Sequence, residues 1–245
     1  MTRTSSADDF LAPRFAPTNL DRFLVRTTLL REIRAVLPKF AGTLLDVGCG
    51  YMPYKPLVLA PPSRVTEYVG LDLPAGPLYN ASPDLTWDGK RIPLRNGAVD
   101  CAMATEVLEH CPDPDVVLRE VRRVVKPGGH FFFTVPFLWP LHDVPHDEYR
   151  YTPFALERHL RRAGFARWSL KALGGWDASL AQMIGLWVRR RPMVTWQRRL
   201  TSILALPVIR FLIGRDEPPP IDHRTGGMIT GIAGLAVTPR AEPAR

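Results

Sequence analysis

The sequence has little cysteine: Cys49, Cys101 and Cys111 in 245 residues, an odd number at wide spacing, which excludes a disulfide framework. No metal-ligand pair spacing appears, so no metal is expected. Long apolar runs are also missing. The longest, from Ile203 to Ile213, is interrupted by Pro207 and Arg210, and it falls short of the roughly 20 residues that a bilayer-spanning helix needs. The first ten residues, MTRTSSADDF, carry acids and no apolar stretch, so a secretory leader is not expected and a reducing, cytoplasmic setting is. There is no internal repeat.

What is present describes a folded enzyme-sized chain. Hydrophobic residues make up 46% and charged residues 23%, an ordinary globular balance, and the length suits one α/β domain with a substantial core. The formal net charge is +8 and the isoelectric point about 9.8. Such a surface attracts nucleic acid, anionic lipid or a phosphorylated ligand, or is simply solvated. No RNA- or DNA-binding motif accompanies the charge, so nucleic acid is not the expected partner.

Along the chain, residues 1–19 read as an irregular lead-in. Leu20, Phe23, Leu24, Thr27, Leu30, Ile33 and Leu37 recur at helical spacing. A strand over 43–47 stops at Gly48-Cys49-Gly50, a second covers 68–72, a short third lies at 85–87, and a fourth runs from Val99 to Thr105. Residues 113–125 read as a helix with Asp113 as N-cap and Pro114 in the first turn, ended by Pro127-Gly128-Gly129. A fifth strand covers 130–135, a helix 153–163 is stopped by Gly164, and strands near 166–170 and 232–237 close the sheet. Between those last two, 176–225 holds apolar helical pieces and an arginine cluster. Strands alternating with helices imply a parallel sheet covered on both faces. The organisation expected is a lead-in and helix over 1–40, a ligand-binding core over 41–170, and a lid or substrate segment with a closing strand over 171–245.

The most informative segment is the strand ending in Asp46-Val47-Gly48-Cys49-Gly50. Glycines let the backbone turn sharply and let a ligand lie against bare main chain, at the carboxyl end of the first strand where doubly wound sheets bind ligands. Asp72 stands at the end of the second strand, where a carboxylate can accept hydrogen bonds from both hydroxyls of a ribose.

With LLDVGCG (44–50), GLD (70–72), WDGKRIPLRNGAVDCAMATEVLEH (87–110) and LREVRRVVKPGGHFFFTVP (118–136), the chain resembles the class I S-adenosylmethionine-dependent methyltransferases, in a subgroup similar to the type 11 methyltransferase family. Four ordered motifs across roughly residues 40–165 carry this resemblance. It implies a Rossmann-like α/β fold: a seven-stranded, mostly parallel sheet with helices on both faces and one antiparallel strand. It implies S-adenosyl-L-methionine as cofactor. Gly48 and Gly50 would line its methionine and ribose side, with Asp46 supporting the amino group. Asp72 would bind the ribose, Asp88 the adenine amino group with Gly89 beside it, and the backbone at Glu106 would border the methionine end. Asp88 equally suits a turn cap before Gly89, and Glu106 a local cap or a pair with His110. Met52 and Pro53 follow Gly50 where many members have a further glycine, and Pro53 predicts a loop rather than a long first helix.

The loop after the fifth strand, Pro136 to Thr152, concentrates histidines, acids, Arg150 and aromatics, and resembles the active-site rim of methyltransferases that modify sugars or small metabolites. Methyl transfer needs mainly alignment; a general base is required when the acceptor is a hydroxyl. His142 and His146 are the candidate proton acceptors. Asp147 would orient one of them or act itself, and Arg150 would hold a substrate acid or lock the loop. The reading is methyl transfer to a small-molecule or sugar-type acceptor, with O-methylation preferred. A non-catalytic cofactor-binding scaffold, an RNA methyltransferase and, more remotely, a nicotinamide oxidoreductase are the alternatives. The basic, apolar segment 189–213 reads as a lid helix or dimer contact ahead of a peripheral membrane contact.

Overall fold

The computed structural model describes residues 8–74, 82–222, 224 and 226–240. The N-terminal seven residues of the MTRTSSADDF segment lie outside the described residues. After a helical turn, α1 (Asp8–Leu11), comes α2 (Phe23–Val36), then β1 (Ala41–Val47), a single turn α3 (Lys55–Val58), β2 (Arg64–Asp72) and the short β3 (Leu85–Thr86). β4 (Val99–Thr105), α4 (Pro114–Val124), β5 (Val125–Pro136), α5 (Pro153–Ala163) and β6 (Arg167–Ala172) follow. The chain ends through α6 (Trp176–Arg190), α7 (Thr195–Arg215) and β7 (Gly231–Val237).

The seven strands form one sheet in the order β3-β2-β1-β4-β5-β7-β6, mostly parallel with one antiparallel pair. This is the Rossmann-like α/β fold expected from the sequence. Parallel register sets Asp46 beside Gly70 of β2 and Met103 of β4, so the carboxyl ends of these strands open side by side. The strand order reverses between β1 and β4, the kind of position where open α/β sheets bind ligands.

By its contacts the chain divides into two units: Met1–Glu32 with Phe137–Pro140 and Lys171–Ile232, and Ile33–Pro136 with Leu141–Leu170 and Ala233–Arg245. In the second unit Leu44, Leu45 and Val47 of β1 and Phe131, Phe132 and Phe133 of β5 are fully buried. Phe131 stacks on Phe133 at 5.3 Å and on Phe165 at 5.8 Å. Gly234 is required by this core, because a Cβ there would lie 2.2 Å from the Phe133 ring. α4 begins as its sequence reads, with the Asp113 carboxylate accepting from the Val116 amide and Val117, Leu118, Val121 and Val124 inward. α5 starts at the Thr152 cap and ends at Gly164, whose φ of 84° is left-handed.

β1 and β2 begin earlier than their residues suggest, at Ala41 and Arg64 in place of Thr43 and Tyr68, and the boundary before β5 is lost. Pro127-Gly128-Gly129 does not separate α4 from β5 but lies inside β5, which starts at Val125 with no intervening loop. Local breaker chemistry yields here to pairing with residues distant in sequence: Gly128 N donates to Pro239 O, Thr238 N to Gly129 O, and the Thr238 hydroxyl to Lys126 O. In the first unit, α7 runs through Pro207 without ending, with Ala205 buried before it and Ile209 and Leu212 after it. These residues pack with Leu20, Ala181 and Val188 in one cluster. Gly185 of α6 sits so close to the chain that a Cβ would meet Leu20 O at 2.4 Å. Among the described residues no helix is long and apolar enough to cross a membrane.

Candidate active site

The glycine loop forms where the sequence put it. Gly48 and Gly50 both adopt positive φ, 69° and 51°, conformations that carry little cost only for glycine. Gly48 also lies against Val107, whose Cγ2 would be 2.6 Å from an added Cβ, whereas nothing lies within 4 Å of a Cβ built on Gly50. One glycine is thus set by packing, and the other faces open space. The loop is tied to β2: Gly48 N donates to Leu71 O at 2.8 Å, and Gly50 N donates to the Asp72 carboxylate at 2.8 Å. The other Asp72 oxygen accepts from Leu73 N at 2.8 Å. Pro53 leaves only the single turn α3 after the loop.

Asp46 is buried beneath this loop. Its Oδ2 accepts the Tyr68 hydroxyl hydrogen, while its Oδ1 is buried with no hydrogen-bond partner. Burial pushes its carboxyl up to about 7, against the lowering effect of the tyrosine bond; the Asp72 charge adds to the rise. Asp88 is exposed, and its Oδ1 accepts from the amides of Lys90 and Arg91, both at 2.9 Å, which hold it below the usual carboxylate range. In this geometry Asp88 caps the turn that Gly89 makes at a φ of 77°, one of the two readings its position allowed.

A second constellation gathers where β4 ends. Glu106 has a φ of 55°, a left-handed conformation that costs a non-glycine residue strain and occurs disproportionately at functional sites. Its carboxyl is pushed up to about 7 by burial, partly offset by a hydrogen bond from Thr134 and by the Arg150 charge. It does not pair with His110. That histidine instead takes its place against Glu109, with Nε2 3.8 Å from Oε1, and its Nδ1 is 2.9 Å from the His146 carbonyl. Glu109 is wholly buried, and neither carboxylate oxygen has a hydrogen-bond partner. Burial, then the Glu106 charge, raises its pKa well above the carboxylate range.

The loop following β5 is pinned to this turn by backbone bonds. Glu148 N and Tyr149 N donate to Glu109 O, and the Tyr151 hydroxyl donates to Leu108 O at 2.8 Å. Within the loop, Arg150 grips Asp147 with both terminal nitrogens, at 2.7 and 2.8 Å, and this holds the Asp147 carboxyl well below its usual range. Asp147 Oδ2 also accepts from His142 N at 3.1 Å and stands 3.3 Å from His142 Nδ1. The His142 ring meets that of His110 edge-on at 4.7 Å. Burial, and then the His110 charge, lower its pKa below that of a free imidazole. The structure therefore brings His142 and Asp147 together. His146 enters through its backbone, while its side chain is exposed.

Glu109, His110 and His142 each offer one ligand atom, all within 4.8 Å of one another, ligand types that a divalent cation accepts. Sequence spacing does not reveal this trio, since His142 comes from a different loop. Glu109 and Tyr68 were not singled out from sequence. Glu109 sits inside EVLEH, where only Glu106 and His110 drew notice, and Tyr68 reads as an ordinary strand aromatic until the β1–β2 pairing is known.

The methyltransferase-domain family model matches residues 45–133, which contain the glycine loop, Asp72, Asp88 and Glu106. A ubiquinone biosynthesis O-methyltransferase from Serratia proteamaculans (strain 568) is 36% identical over 109 residues, covering 39% of this chain and 43% of that protein. The chain thus spans less than half the length of the curated relatives of this kind that it matches. A methyltransferase of uncharacterized activity from Mycobacterium sp. (strain JLS) is 30% identical over 174 residues, covering 63% of this chain and 68% of the relative. In solved structures the fold is similar to the S-adenosylmethionine-dependent methyltransferase from Mesorhizobium loti, with a TM-score of 0.53 and 18% identity over 87% of this chain and 99% of that one.

Proposed function

The chain belongs to the class I S-adenosylmethionine-dependent methyltransferase family, and we propose that it transfers a methyl group from S-adenosylmethionine to a hydroxyl of a small-molecule or sugar-type acceptor. The observation that carries this reading is the loop at Gly48–Gly50, open above Gly50 and braced by the Asp72 carboxylate. The residues fit the cofactor. Asp72, which accepts from the Gly50 and Leu73 amides, would accept from a ribose diol in their place, and the unpartnered Oδ1 of Asp46 is a buried acceptor suited to a nearby ammonium.

When bound, the cofactor supplies a methyl already activated on a sulfonium. The chain's own residues then have to bind, align and move one proton. His142 supports the choice of an oxygen acceptor. Its lowered pKa keeps the imidazole neutral near pH 7, and Asp147 beside Nδ1 favours the tautomer that leaves Nε2 free to take the acceptor's proton. The Arg150 grip keeps Asp147 ionised and oriented, which suits a positioning role better than that of a base. Burial disfavours the ionised forms of Glu106 and Glu109 beneath the loop.

Calorimetry with the methyl donor and its demethylated thioether is expected to give one site per chain. Asp72→Ala weakens it about tenfold to a hundredfold, the value of a charge-assisted hydrogen bond of about 1.5–3 kcal/mol. Transfer of radiolabelled methyl to a panel of hydroxyl acceptors is expected to fall about a hundredfold in His142→Ala with cofactor affinity kept, and to change little in His146→Ala. Absence of heat with either ligand removes the proposal.

A further inference from the structure

α6 and α7 carry an apolar face that their own packing leaves uncovered. On α6, Trp176, Leu180, Met183 and Trp187 recur at helical spacing and are exposed; on α7, Trp196, Leu200, Leu204, Val208 and Phe211 do the same. The exposures are large: 72% for Trp176, 65% for Trp196, 63% for Leu204 and 58% for Phe211. The opposite sides of both helices, Ala181 and Val188 against Ala205, Ile209 and Leu212, form the buried cluster. α7 is therefore apolar on two sides, one for its neighbour and one for something else. Apolar stripes of four and five exposed side chains on two helices packed together mark an interaction site.

The charge pattern narrows the occupant. From Ala178 to Arg215 the chain contains no acidic residue, while arginines stand at 189–191, 198, 199, 210 and 215. Arg191, Arg199, Arg210 and Arg215 are exposed, with Arg191 over the Trp187 ring at 4.9 Å and Arg215 over Phe211 at 5.2 Å. The flanking Asp216 is turned away to the first amides of α6, accepting from Gly175 and Ala178. A second copy of this face would bring its arginines against like charges. An anionic bilayer instead offers phosphate oxygens to the arginines and acyl chains to the apolar stripe, with tryptophans at the headgroup boundary. α7 is long, but Pro207 and its arginines keep it from being apolar enough to cross, which leaves lying in the plane of the surface.

We propose that the exposed face of α6 and α7 docks on the surface of a membrane containing anionic lipid. The test is co-sedimentation of the full chain with vesicles of phosphatidylcholine, alone or mixed with phosphatidylglycerol. Binding is expected to the mixed vesicles, weaker as salt rises, and absent with phosphatidylcholine alone. Leu204→Asp and Phe211→Asp, both at exposed positions that leave the packed cluster intact, are each expected to weaken it about tenfold or more, the worth of one large apolar side chain withdrawn from the interface. Arg199→Gln with Arg210→Gln is expected to reduce the preference for anionic lipid. No sedimentation with mixed vesicles at low salt overturns the proposal. So does binding unchanged in both aspartate variants, or a dimer that Phe211→Asp dissolves while vesicles are ignored.

Discussion

Gly48→Ala is expected to weaken cofactor binding about a hundredfold and to unfold at lower urea concentration than the parent chain. Two independent costs act at this residue. A φ of 69° is left-handed, and an alanine held there costs about 1–2 kcal/mol. The new methyl would also lie 2.6 Å from Val107 Cγ2 and 2.9 Å from Cγ1, inside any tolerable contact, so the loop or the turn after β4 must shift. A shift carries the Gly50 amide away from Asp72 and displaces the segment around Glu106 at the same time. Loss of about a hundredfold in affinity, or about 2.7 kcal/mol, is the expected calorimetric result. Gly50→Ala provides the contrast: its Cβ meets nothing within 4 Å, so only the backbone cost reaches stability. Gly48→Ala combined with Val107→Ala should recover the steric part of the loss but not the strain. Full cofactor affinity in Gly48→Ala would show that the loop is not the binding element.

Arg150→Leu is expected to be the most destabilising single substitution in the loop after β5. Its guanidinium is bidentate on Asp147, whose side chain is 2% exposed, and it is the cation that acts on Glu106 and Glu109. Losing a charge-assisted, bidentate bond to a partly buried carboxylate costs about 1.5–3 kcal/mol, because the other charge is left without compensation. The substitution also changes how stability depends on pH. The Asp147 carboxyl, depressed in the folded parent, contributes stability above its unfolded pKa that is lost as acid protonates it. Glu106 is shifted the other way, up to about 7, so its burial is tolerated below the unfolded value and opposes folding as pH rises toward and past 7. Without Arg150 the first contribution disappears and the second grows. Urea unfolding of the variant should therefore show stability falling more steeply than in the parent between about pH 5 and 8. Parallel pH profiles for the two proteins would mean that Arg150 does not govern these carboxyls.

Much of the frame was legible because it is set by local rules. β4 and α5 have the bounds their residues suggest, the first from a run of nearly all apolar and small residues, the second from Thr152 at one end and Gly164 at the other. The glycine loop and Asp72 were legible for the same reason: each is an adjacent or regularly placed residue at a strand end. β5 was not, since Pro127-Gly128-Gly129 signals a break that only pairing with residues near Thr238 overrides. Asp88 was ambiguous, and the turn at Gly89 decides its carboxylate's partners. The constellation around Glu109 was illegible in its essentials. Nothing in EVLEH says that the second glutamate points inward, or that a histidine and an Asp–Arg pair from a loop more than thirty residues later close over it. Such contacts depend on tertiary closure, which short-range pattern does not encode.

The direct passage from α4 into β5 has a consequence for how this lineage can change length. Val124 is the last helical residue and Val125 the first extended one, so there is no slack between them. An extra residue there would slide the strand by one step against β4, where Cys101 faces His130 and Met103 faces Phe132, and would exchange the faces on which Phe131 and Phe133, and Phe132 opposite them, are packed. Homologous chains should therefore keep the distance from Asp113 to Phe133 constant, with insertions and deletions falling elsewhere.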